Sequence, residues 1–156
     1  MLRVRPATMR RVLNLWPPLL FSGIRVTRVA DDWSGAHVVL KRRWYNRNAV
    51  GVHFGGSLFA MTDPFWMILV MNRLGPNYVV WDKAAEIDFV SPGRTDVHAD
   101  FSLDDAVLDE IRAATSTGDK YLRWFDTDVV TDDGAVVARV RKQLYVRRKP
   151  QPEAEG

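Results

Sequence analysis

Residues 58–74 read LFAMTDPFWMILVMNRL, a stretch whose only polar members are Thr62, Asp63, Asn72 and Arg73. A run this long and this apolar predicts a helix buried on most of its sides. Gly75, Pro76 and Asn77 supply its stop. Upstream and downstream of it the apolar period changes to two. Ile24, Val26 and Val38–Leu40 predict two strands joined across Asp31, Asp32, Ser34 and Gly35. Tyr78–Val90, Thr95–Leu103, Tyr121–Thr131 and Ala135–Val146 alternate in the same way, with Asp132, Asp133 and Gly134 as a hairpin turn before the last. Asp104–Thr115 carries Ala106, Val107, Ile111 and Ala114 at helical spacing behind two acidic residues, which suit a helix start. At the front, Met9, Val12, Leu13 and Trp16 share one face of a short amphipathic helix over Pro6–Trp16 that Pro17–Pro18 stops. This order predicts an α+β protein whose antiparallel sheet wraps the long central helix. Residues 1–22 form a helical lead-in, 23–148 a single domain, and 149–156, with two prolines and no apolar pattern, a disordered tail.

The composition narrows the chemistry. With 156 residues, 47% hydrophobic and 26% charged, the chain has room for one real core. It has no cysteine, which removes disulfides, thiolate zinc sites and cysteine nucleophiles. Val12–Ile24, the most apolar part of the start, is broken by Asn14, Pro17, Pro18 and Gly23 and is too short to span a bilayer, so a cytoplasmic protein without membrane attachment is expected. The net charge of +3 hides a pattern: residues 1–60 hold ten basic and two acidic side chains, 61–133 six and fifteen, and 134–156 six and two. The basic ends raise the idea of a nucleic-acid partner, but no aromatic residues interleave with them as single-strand platforms require, and no such partner is expected.

G-x-S-x-G, G-x-x-x-x-G-K, G-x-G-x-x-G and H-E-x-x-H are all absent. His37, His53 and His98 lie far apart in sequence without ligand-spaced partners, so no metal or other cofactor is expected. Asn48, Gly51, His53, Phe54, Gly55, Gly56, Ser57, Leu58 and Phe59 lead into Asp63–Pro64. Two glycines before a helix can bring bare backbone N–H groups against a ligand oxygen. Asp63 is a carboxylate in an apolar helix, a place where a general base is often housed. It has a plainer alternative: Thr62 or Asp63 as the cap of a helix that begins at Pro64, with Gly55–Gly56 an ordinary turn.

Asn48, Gly51, Gly55, Gly56, Leu58, Phe59 and Asp63, followed by Glu86–Phe89, Pro92 and Gly93, resemble the hotdog-fold acyl-CoA thioesterases of the phenylacetate-pathway type, and most closely their uncharacterised thioesterase-like branch. The likeness covers roughly Trp16 to Val146. It implies a long helix wrapped by an antiparallel sheet, and a homodimer or dimer of dimers with the pocket at the subunit interface. It implies that Asp63 activates water or attacks the thioester, that the N–H groups of Gly55 and Gly56 polarise the thioester carbonyl, and that Asn48 orients water or substrate. The family type has histidine directly before the glycine pair; here Phe54 stands there and His53 comes one residue earlier. Phe54, Trp66, Trp44 and Phe65 are candidates to line an acyl tunnel, and Ser57, Trp81 and Lys83 to meet the ligand. Arg42, Arg43 and Arg47 are candidates for the phosphates of coenzyme A, which would enter as part of an acyl-CoA or be replaced by an acyl-carrier thioester. The function implied is hydrolysis or binding of acyl thioesters, with a non-catalytic acyl-CoA-binding or regulatory hotdog module as the alternative.

Overall fold

The elements follow the predicted order in the computed structural model, which describes residues 4–150. They are α1 (Pro6–Leu15), α2 (Pro17–Ser22), β1 (Ile24–Val29), β2 (Gly35–Leu40), α3 (Gly55–Ala60), α4 (Phe65–Leu74), β3 (Tyr78–Phe89), β4 (Val97–Ser102), α5 (Asp105–Ala114), β5 (Lys120–Thr131) and β6 (Val136–Arg148), with one 3-10 turn at Trp44–Asn46. The six strands form one antiparallel sheet in the order β1-β2-β4-β5-β6-β3. The helical run α3–α4 lies across its inner face. Phe65 sits 4.9 Å from Phe101 of β4 and Trp66 stacks 4.6 Å from Phe125 of β5, ring centre to ring centre. This is the hotdog arrangement.

The central helical run reaches from Gly55 to Leu74 with a tight turn at Met61–Pro64. Before the turn the backbone bonds shorten to three-residue spacing, Thr62 N–H to Phe59 O and Asp63 N–H to Ala60 O. Pro64 then brings a ring and no N–H, which an unbroken helix does not accommodate. Helix α4 restarts with Pro64 itself in the cap position and no side-chain cap. The capping alternative is thereby corrected: Thr62 Oγ1 donates back to Phe59 O at 2.8 Å, and Asp63 points elsewhere. Pro17–Pro18 do stop the first helix, and they also open a second one. They divide α1 from α2, since a proline at the first helical position loses nothing, and Gly23 at φ 80° ends the second helix.

The two sheet edges differ. At β1 the side chain of Asn14 from α1 takes the place of a neighbouring strand, its Nδ2 donating to Val26 O at 2.9 Å and its Oδ1 accepting from Val26 N–H at 2.8 Å. At the other edge β3 runs twelve residues with its outer backbone row unpaired, and carries Trp81 and Phe89 exposed, followed by exposed Val90. The charge pattern of the sequence is in part this sheet's register. Arg141 of basic β6 bridges Asp126 of β5 and Glu86 of β3, and Arg139 meets Asp128. Of the tail, Lys149 is fastened by its N–H to Asn77 O, and residues 151–156 lie outside the described residues.

Asn14→Ala leaves both backbone groups of Val26 without their protein partner. It should lower the unfolding free energy by about 1–3 kcal/mol, read from the urea midpoint at unchanged slope, and Val26 should lose amide-exchange protection.

Candidate functional site

The turn that breaks the central helix faces a lysine. On β6 the residues Val140, Lys142, Leu144 and Val146 alternate inward, so Lys142 is carried into the core beneath Met61–Pro64, where its side chain is only 3% exposed. A buried ammonium must be paired. Its Nζ contacts Asp63 Oδ1 and lies 3.3 Å from Asp82 Oδ2 on β3. The Phe59 ring centre is 5.9 Å away. Asp63 remains 49% exposed, with one oxygen tied to the lysine and the other open. Asp82 is the more enclosed of the two carboxylates. Burial pushes its carboxyl above the usual range against the pull of Lys142, and its Oδ1 is buried without a hydrogen-bond partner.

The glycine pair sits at the other end of α3. A methyl group on Gly55 would lie 2.8 Å from the Phe89 ring, and one on Gly56 would lie 2.3 Å from the Phe54 ring, so a side chain at either position would require these exposed rings to swing aside. Neither N–H donates a hydrogen bond among the described residues. The pair forms a ridge between two recesses. One, of about 440 Å³, is lined by Asn48, His53, Gly55, Leu58, Phe89 and the 90–94 loop. The other, of about 430 Å³, is lined by Phe21, Tyr45, Arg47, Phe54, Gly56 and Ser57. Asp63 lines neither. Asp82 and Phe89 mark the two ends of the helix along β3 and stand seven residues apart, about 20 Å at strand spacing.

Asn48, which lines the first recess, has its Oδ1 occupied by the N–H groups of Val50 and Val52, which shapes the loop. The His53 ring is 2% exposed, with Nε2 2.7 Å from Thr95 O and Nδ1 buried without a partner. Gly93 packs directly on it. This histidine anchors the 93–95 loop. Trp66 belongs to the core, its Nε1 donating to Thr127 Oγ1 at 2.8 Å, as does Phe65. Trp81 stacks 4.2 Å from Tyr145 on the outer face of the sheet, away from both recesses, and Lys83 is exposed at a β-bulge. Arg42 is held inward by Gly51 O, while Arg43, Trp44 and Arg47 are exposed near the second recess. The sheet also brings His37 and His98, distant in sequence, to 5.5 Å on its outer face.

The pattern of the family described as domain of unknown function (DUF4442) matches residues 6–146. The chain belongs to that family. No functionally curated protein matches it. Among solved structures it is similar to a Pseudomonas aeruginosa protein of unknown function, PA5026, described as a probable thioesterase, with 16% identity and a TM-score of 0.83 over 93% of this chain and 97% of that one. It is also similar to the Haemophilus influenzae thioesterase HI1161, with 13% identity and a TM-score of 0.68 over 98% and 97%. A Chlorobaculum tepidum protein of unknown function, OLEI01261, aligns at 12% identity and a TM-score of 0.72 over 93% and 98%. These likenesses show that this DUF4442 chain shares the fold of those proteins.

Lys142 and Asp82 were not singled out in the sequence. Their signal was there: Lys142 falls on the inward period of β6, where an apolar residue belongs. For His53, burial holds the imidazole pKa below its ordinary value of 6.5. The unfolded chain therefore binds a proton that the folded one resists. The contribution of His53 is complete above pH 6.5 and is lost as the pH falls toward the folded value. Urea unfolding at pH 7.5 and 5.5 should show stability decreasing toward the lower pH, and His53→Gln, which can keep the bond to Thr95, should flatten that dependence.

Proposed function

We propose that this protein hydrolyses acyl thioesters, with acyl-coenzyme A as the substrate class, as a homodimer joined through β3. The observation that carries the reading is the Asp63 carboxylate, half exposed at a helix break, with one oxygen tied and the other open to water. Its use as a general base is worth about 10²–10⁴ in rate. The N–H groups of Gly55 and Gly56 supply what the attack also needs, two unengaged donors for the developing oxyanion. Because α3 is only six residues long, the donors themselves rather than a helix dipole carry this effect.

Within one protomer these two parts are separated along β3. A long, unpaired edge strand with exposed Trp81 and Phe89 is suited to pairing with its own copy. Antiparallel self-pairing sets the Asp82 end of one β3 beside the Phe89 end of the other. Asp63 of one protomer then approaches the glycine ridge of its partner, and the site is completed twice per dimer. Arg43 and Arg47, exposed near the second recess, suit the phosphates of coenzyme A.

The alternative of a non-catalytic acyl-thioester-binding module is favoured by one observation: His53, the loop histidine, is buried and committed to the loop backbone. Thiol release from hexanoyl-coenzyme A and benzoyl-coenzyme A separates the two. Hydrolysis should be measurable, and Asp63→Asn should lower it by ~100-fold or more with dimerisation intact. Turnover unchanged in Asp63→Asn removes the assigned role. A thermal shift with acyl-coenzyme A and no free thiol selects the binding module.

A further inference from the structure

Lys142 is the one buried cation in this region that the hydrolytic reading does not use. The groups that face it can be named element by element. The Met61–Pro64 turn presents Asp63 and β3 presents Asp82, while α3 offers Phe59 and β5 offers Phe125, its register partner. Lys83 is exposed at the bulge, and on the opposite face of the sheet Arg141 pairs with Glu86 and Asp126 and Arg139 pairs with Asp128. The cluster is thus one cation between two carboxylates, carried by the helix turn and by two neighbouring strands. The two carboxylates are not equivalent. Asp63 keeps an oxygen in reach of solvent, whereas Asp82 is more enclosed and its Oδ1 has no partner.

We propose that Lys142 is the positioning residue for Asp63, holding it by Oδ1 as an oriented anion, and that Asp82 is the second carboxylate that retains the ammonium when Asp63 takes up a proton. The inference deepens the hydrolytic reading and rests on it. In the first step the water oxygen bonds to the thioester carbon, the carbonyl electron pair moves to oxygen, and the water proton passes to the free oxygen of Asp63. A neutral carboxyl no longer attracts the ammonium as strongly, and Asp82, 3.3 Å away, keeps it paired inside the core. In the second step the carbon–sulfur bond breaks with its electron pair on sulfur, and the Asp63 proton passes to the leaving thiolate. The products are the carboxylic acid and the thiol, and the cluster returns to its starting charge.

The test is kcat and KM with hexanoyl-coenzyme A for the full-length wild type, Lys142→Met, Lys142→Arg and Asp82→Asn, each checked for dimerisation. Lys142→Met should lower kcat by ~100-fold, the scale of a misplaced reacting group, with KM within about twofold. Lys142→Arg, which keeps a cation beside Asp63, should recover much of the lost kcat at the same KM. Asp82→Asn removes the carboxylate that retains the ammonium during the proton transfer, so it should lower kcat at an unchanged KM, and this arm stands even if Lys142→Met fails to fold. Unchanged kcat in Lys142→Met or in Asp82→Asn beside an active wild type, or a loss carried by KM, overturns the proposal and leaves the hydrolytic reading standing. So does a Lys142→Arg no more active than Lys142→Met. A wild type that releases no thiol overturns the hydrolytic reading and the positioning role with it.

Discussion

An ammonium group placed on the inner face of a β-sheet has to be neutralised where it stands, and Lys142 imposes that condition on everything around it. The helix above meets it with a carboxylate at the break. Pro64 provides the break, the bonds before it tighten, and Asp63 is delivered at the turn. The neighbouring strand contributes Asp82 beside a β-bulge at Asp82/Ala84. An ion pair of this kind gives little net stability over an apolar replacement of the same shape, since desolvation offsets much of its attraction. In the proposed mechanism its contribution is instead to hold Asp63.

The same region explains why the candidate machinery is divided. The glycine ridge packs against Phe89 of β3, while Asp63 is tied to Lys142 of β6, which also meets Asp82 of β3, so the β3–β6 pair frames both parts and their separation. A strand of this length with a free edge is also the element that a second copy can extend. The other edge is closed by Asn14, which imitates a neighbouring strand at Val26. One edge is sealed and one is open, and the open one carries the residues that frame the site.

The elements and their order were legible because each depends on local period: two for the strands, helical for 58–74 and 104–115. The Asp63–Pro64 pair was legible as a decision point, but its outcome depended on a residue 79 positions away. Lys142 stands in a basic strand, but the two-residue period that carries Val140 and Leu144 inward carries it in as well, while Arg139 and Arg141 face outward. Trp66 and Trp81 have the same residue type and different fates for the same reason, one packed on Phe125 in the core and the other on Tyr145 outside. The basic and acidic blocks of the sequence suggested a charged partner; for β3, β5 and β6 the pairing across the strands accounts for them.

A mixed dimer tests most directly whether the site is assembled from two protomers. Asp63→Asn removes the base, and Gly55→Pro removes one N–H donor at a first helical position whose backbone suits proline, with the exposed Phe89 ring swinging aside for it. Each homodimer should be inactive in thiol release from hexanoyl-coenzyme A. A dimer containing one protomer of each kind should recover activity, because one of its two sites pairs the intact Asp63 of one chain with the intact ridge of the other. A mixed dimer as inactive as its parents, with wild-type dimers active, would show that the site lies within a single protomer and contradict the account.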